Sequence, residues 1–90
     1  MQEIDINNLI DENNYLNKNI PNNIIIVGEI RELNIFHKYD KLDLSRIECN
    51  AINYQNQEGE SIKNHLLPNS LQILVCFENK LSTLVGRLNF

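Results

Sequence analysis

The sequence predicts an α/β chain in which a cap of one N-terminal helix and short strands leads into one or two coils of a solenoid. Three observations predict it. Residues 6–18 carry apolar side chains at a helical period, and residues 20–44 carry β-branched and alternating runs. Residues 67–84 carry a leucine spacing that neither a plain helix nor a plain strand explains.

The helix comes first in the chain. In INNLIDENNYLNK, Ile6, Leu9, Ile10 and Leu16 fall near one side of a helical wheel. Asp5 stands where an N-cap belongs, Lys18 lies in the last turn and Pro21 just beyond it. Its asparagines compete for backbone hydrogen bonds, so this helix needs packing to form. From Ile20 onward, IPNNIIIVGEI is rich in β-branched residues that suit a strand covered on both faces, with Gly28 as a break. IRELNIF alternates Leu33 and Ile35 against Glu32 and Asn34, and LDL alternates again after the polar HKYDK. That reads as two strands joined by a turn at residues 37–41. NYQNQEGESIKNH is the most polar stretch of the second half and reads as a loop with one helical turn near Gly59 and Ser61. The organisation expected is a cap over residues 1–38 and coils over residues 39–90, with a polar convex-side insertion at 53–66.

LPNSLQILVCFENKLSTL fixes the architecture. Leu71, Leu74 and Cys76 are separated by three and then two residues, the spacing of a turn entering a short strand. Leu71 closes the turn, and Leu74 and Cys76 share the inward face. Asn79 stands where the chain leaves the strand and can bond an adjacent turn, while Leu81 and Leu84 fill the interior behind. This LxxLxCxxNxLxxL pattern, entered by LPNSL, resembles the short leucine-rich repeats of about twenty residues. A partial second copy places Tyr39, Leu42, Leu44, Cys49 and Ile52 at the same offsets 32 residues earlier, with Ile47 at the asparagine position. Ile20-Pro21-Asn22-Asn23-Ile24 echoes the LPNSL entry once more. The chain thus resembles a truncated or degenerate member of that family.

The resemblance implies a solenoid whose concave strand face binds other proteins. Ile73, Val75, Phe77 and Glu78 take the outward positions of the well-matched turn and are the candidate protein-binding residues. Leu71, Leu74, Cys76, Asn79, Leu81 and Leu84 form the repeat core. Lys41, Asp43, Ser45 and Arg46 take the outward positions of the preceding turn and read as a solvated face. After Leu84 the sequence VGRLNF offers no further entry and no polar cap, so a C-terminal edge completing its sheet in a homo-oligomer is the alternative expectation.

Composition narrows the function classes. The chain has 90 residues, 42% of them hydrophobic and 22% charged, as an ordered single domain does. Its formal net charge is −4 and its eight basic residues are scattered, which argues against a nucleic-acid or anionic-membrane partner. MQEIDINN lacks the positive charge and apolar run of a signal peptide, and no segment approaches the ~18 apolar residues of a membrane span. An intracellular, cytoplasmic setting is expected, with Cys49 and Cys76 as buried thiols. Together with His37 and His65 they supply zinc-ligand types, yet no pair stands at ligand spacing, so no metal or other cofactor is expected. No phosphate loop, G-x-S-x-G or H-E-x-x-H occurs, and the expectation is a non-catalytic protein with an unknown protein partner. The sixteen asparagines and thirteen isoleucines have AT-rich codons and are read with caution.

Overall fold

The computed structural model describes residues 1–76 and the strand Leu81–Val85. Five strands form one sheet in chain order: β1 (Gln2–Asp5), β2 (Ile24–Ile35), β3 (Ile47–Tyr54), β4 (Ile73–Cys76) and β5 (Leu81–Val85). The first four pair in parallel, and β5 is antiparallel to β4. Gln2 lies beside Ile24, Gly28 beside Ile47 and Ala51 beside Ile73, so successive coils advance by 22, 19 and 22 residues. Parallel neighbours linked by nearly constant advances make a β-solenoid.

The three-then-two spacing explains why strands form here. Ile30, Leu33 and Ile35 repeat it on β2, Cys49, Ile52 and Tyr54 on β3, and Leu71, Leu74 and Cys76 at β4. Strict alternation would turn Leu33 and Ile52 outward. Instead both strands change phase at Arg31–Glu32 and Asn50–Ala51, a corner at which the inward face is reset. Side chains then stack in register: Leu33, Ile52 and Leu74 form one ladder, and Ile35, Tyr54 and Cys76 a second. All six are at most 2% exposed. Each full burial stabilises by about 1.5–3 kcal/mol for a large apolar side chain.

The expected N-terminal helix does not form, and the α/β description gives way to a mainly β chain. The described helical structure is the 3-10 turn Ile6–Asn8 and the single turn α1 (Gly59–Ile62). Asp5 does cap the first of these, its carboxylate accepting from the Asn7 N–H at 2.8 Å. Beyond it the Asp11 carboxylate accepts from the N–H groups of Asn13 and Tyr15, and Asn14 adopts φ 64°. Those bonds turn the chain back so that Ile10 and Leu16 bridge antiparallel. Ile6, Leu9 and Leu16 still reach the core, through turns. Here the local side-chain bonds of Asp and Asn outcompete the helix.

The expected tight turn at residues 37–41 is also replaced. β2 and β3 are parallel, which a two-strand hairpin cannot be, and residues 36–46 make the connection. LDL lies in that connection, where Asp43 bridges Leu66 in parallel. Leu42 and Leu44 are buried there, so the 32-residue offset that matches them to Leu74 and Cys76 is not the stacking register.

Several asparagines shape the corners. Asn14, Asn23 and Asn56 all have positive φ, a conformation that asparagine tolerates better than most side chains. The side-chain amides of Asn7 and Asn14 donate to the carbonyls of Glu29 and Glu32, occupying the edge of β2 that faces the first coil. Ser70 acts similarly between the last coils. Its hydroxyl accepts from the Cys49 N–H at 2.9 Å and donates to the Cys49 carbonyl at 3.1 Å.

Candidate functional site

Two surfaces and one buried cluster bring functional groups together. The first surface is the outward face of the sheet. Its in-register positions are Glu32, Ala51 and Ile73 in one row and Asn34, Asn53 and Val75 in the next. Along each row the character runs from polar on β2 to apolar on β4. Ile73 remains 41% exposed although β5 lies beside it with Val85 opposite, and Val75 is half-buried. Leu71, Leu74 and Cys76 are buried as core. Phe77, Glu78 and Asn79 lie outside the described residues, while Leu81 and Leu84 fall on β5 in register with Cys76 and Leu74.

The second surface is a groove of about 780 Å³ between the corners of successive coils. Ile20, Ile24, Ile26 and Leu42 give it apolar walls, Leu66 stands beside it 55% exposed, and Asp40, Lys41 and Asp43 rim it. The Asp43 carboxylate accepts from the Ser45 hydroxyl at 2.5 Å and the Ser45 N–H at 2.9 Å. These bonds hold its carboxyl below the usual aspartate range, so it is charged near neutral pH.

The buried cluster lies under the connections at the ends of β2 and β3. His65 is 6% exposed, not the surface residue that its polar neighbourhood suggests. Its Nε2 stands 2.9 Å from the Tyr39 carbonyl, which can only accept, so Nε2 carries the hydrogen. Nδ1 then accepts from the Tyr54 hydroxyl at 2.7 Å. Burial pushes the Tyr54 phenol far above its ordinary value, and burial pushes that of Tyr39 up to about 12. The Tyr39 hydroxyl donates to the Asn17 carbonyl at 2.5 Å, tying the first coil to the second.

Gln57 is the other buried polar residue among the described residues. Its amide nitrogen lies 3.1–3.4 Å from the carbonyls of Ile35, Phe36 and His37, ending β2 where no strand partner continues. The Cys76 thiol donates to the Gln57 carbonyl at 2.9 Å. The Cys49 thiol lies 3.2 Å from the Ala51 carbonyl, and burial raises its pKa, which keeps the sulfur protonated. The Tyr39, Gln57 and Cys76 contacts tie one coil to the next or end a strand, while the Cys49–Ala51 contact lies within β3. The sequence marks neither His65 nor Gln57 for burial, because a polar residue type in a polar segment predicts exposure, whereas the two cysteines are buried as expected.

Among the described residues no three His, Cys, Asp or Glu side chains converge as a metal-ligand set. No helix among them is long and apolar enough to cross a membrane. No family model, no curated protein and no solved structure matches this chain.

Proposed function

We propose that this chain is a non-catalytic protein-binding module that engages its partner through the outward strand face of a short solenoid. The single observation that carries the reading is the apolar end of that face. Ile73 is 41% exposed on a paired strand, with Val75 half-buried beside it. An apolar group that stays 41% exposed on a hydrogen-bonded strand is the kind of anchor that protein interfaces use. The finer assignment, to a degenerate leucine-rich repeat, draws support from the 22-residue advance into β4 and from the Leu67-Pro68-Asn69-Ser70-Leu71 entry. The buried, protonated Cys49 and the structurally engaged Cys76 favour binding over thiol chemistry.

Ile73→Asp tests the reading. Expected is an unchanged thermal melt and monomer mass with loss of the proteins that wild type retains in affinity capture. A variant that captures the same proteins as wild type contradicts it. A fall in oligomer mass on Ile73→Asp supports instead the rival role, a self-associating structural chain.

A further inference from the structure

The corner groove is bounded by strand edges that no described strand completes. β3 begins to pair with β2 only at Gly28, opposite Ile47, so the segment Ile24–Val27 has β1 on one side and no described strand on the other. Hydrogen-bonding groups alternate sides along a strand. The Glu29 carbonyl meets the Asn7 amide on the first-coil side, and beyond the phase change at Arg31–Glu32 the Ile35 carbonyl meets Gln55 on the β3 side. Counting back from the paired Gly28, the backbone groups of Ile24 and Ile26 turn toward the second coil, into the groove. Across it, the Leu42 carbonyl and Leu44 N–H are both engaged by Leu66, which turns the backbone of Asp43 the other way, also into the groove.

We propose that this groove binds an extended peptide that adds as a strand to the edge of β2 at Ile24–Val27, seats apolar side chains against Ile20, Ile24 and Leu66, and offers a lysine or arginine to Asp40 and Asp43. Main-chain bonds to an unpaired edge, with pockets for alternate side chains, are the means by which extended peptides are recognised. The choice of a basic peptide follows from charge. Two carboxylates and one lysine line this rim, and the sole ion pair among the described residues, Lys63 with Glu60, lies elsewhere. A second copy of the chain is the poorer occupant, since each copy carries twelve acidic residues against eight basic ones.

The test uses the whole 90-residue chain, isotopically labelled, and an acetylated, amidated hexapeptide of alternating valine and lysine. Amide shifts are expected to saturate and to centre on Ile24–Val27 and Asp43. Glutamate in place of lysine, or N-methylation of alternate peptide nitrogens, is expected to abolish the shifts. Asp40→Asn is expected to weaken binding several-fold while the melting temperature holds, and Asp43→Asn to weaken it similarly with a small fall in melting temperature, since its carboxylate accepts both Ser45 bonds. Asp40→Asn gives the cleaner reading, because no described contact depends on that carboxylate. No shift at millimolar peptide overturns the proposal, as does equal binding by the N-methylated peptide. So do shifts centred on Glu29 and Glu48, the acidic pair on the strand face. Shifts at Ile24–Val27 that depend on protein concentration without peptide would assign the edge to a second copy and overturn it too.

Discussion

The strand side of this molecule and its connecting side are built on different principles. On the strand side, apolar residues stack on like residues, Leu33 on Ile52 on Leu74, and any side chain of similar volume serves. On the connecting side, individual polar groups meet individual carbonyls, as His65 meets Tyr39 and Gln57 meets Ile35, Phe36 and His37. The first depends on spacing and tolerates substitution by type. The second depends on identity, because a buried polar group without its partner costs its full desolvation.

The largest expected effect lies in the ladder. Ile52→Ala removes the middle rung of Leu33–Ile52–Leu74 and is expected to cost about 2–5 kcal/mol in denaturant unfolding. Asn53→Ala, the next residue but outward, is expected to stay within about 0.5 kcal/mol. Equal losses at the two positions would break the contrast between inward and outward rows.

On the connecting side, Tyr54→Phe keeps the stacked ring and deletes the hydroxyl that serves His65 Nδ1. The expected cost is about 1–3 kcal/mol, the penalty of one buried group left unpaired. A neutral result would mean that the ring alone matters and that the two sides obey one rule.

Gly28 tests the seam between the first coil and the stack. It has φ 109°, and a Cβ there would lie 2.7 Å from the Asp5 carboxylate. Gly28→Ala is expected to cost about 1–3 kcal/mol from the backbone conformation, and to cost less in an Asp5→Ala background, where the clash is gone. A thermal melt of the four variants separates the two contributions, and an undiminished cost in the double variant would leave backbone strain as the whole cause.

The effect that vanishes near neutral pH is alkaline. Tyr39 is raised to about 12, against about 10 for an exposed phenol. A raised folded-state value means that the unfolded chain loses its proton first. The stability this contributes is therefore fully present below about pH 10 and lost as pH climbs toward 12. Tyr39→Phe is expected to flatten that decline in unfolding measured from pH 9 to 12, and an unchanged slope would contradict the assignment. Tyr54, raised further still, contributes in the same direction.

The same division decides what the sequence discloses. The solenoid is legible because the three-then-two spacing of Leu71, Leu74 and Cys76 is a requirement of the corner, and it recurs at Ile30 and Cys49. Searching for leucine hides the recurrence, since isoleucine, cysteine and tyrosine fill the equivalent places. It promotes instead the offset of Leu42 and Leu44, which are buried for another reason. The helical stripe at Ile6, Leu9, Ile10 and Leu16 misleads because turns can also bring such positions inward. The deciding signal was Asp11 followed by Asn13 and Asn14, a turn-forming set that compositional bias disguises. Burial of His65 and Gln57 was not legible, because it depends on carbonyls far away in the chain.

The stacking register is the claim on which both proposed surfaces rest, and methyl–methyl nuclear Overhauser contacts measure it most directly. Stacked strands lie about 4.8 Å apart, within reach of that experiment. Cross-peaks of Ile52 with both Leu33 and Leu74 are the expected result, at advances of 19 and 22 residues. Contacts joining Leu42 to Leu74, with none from Ile52 to either neighbour, would contradict the account and restore the 32-residue offset.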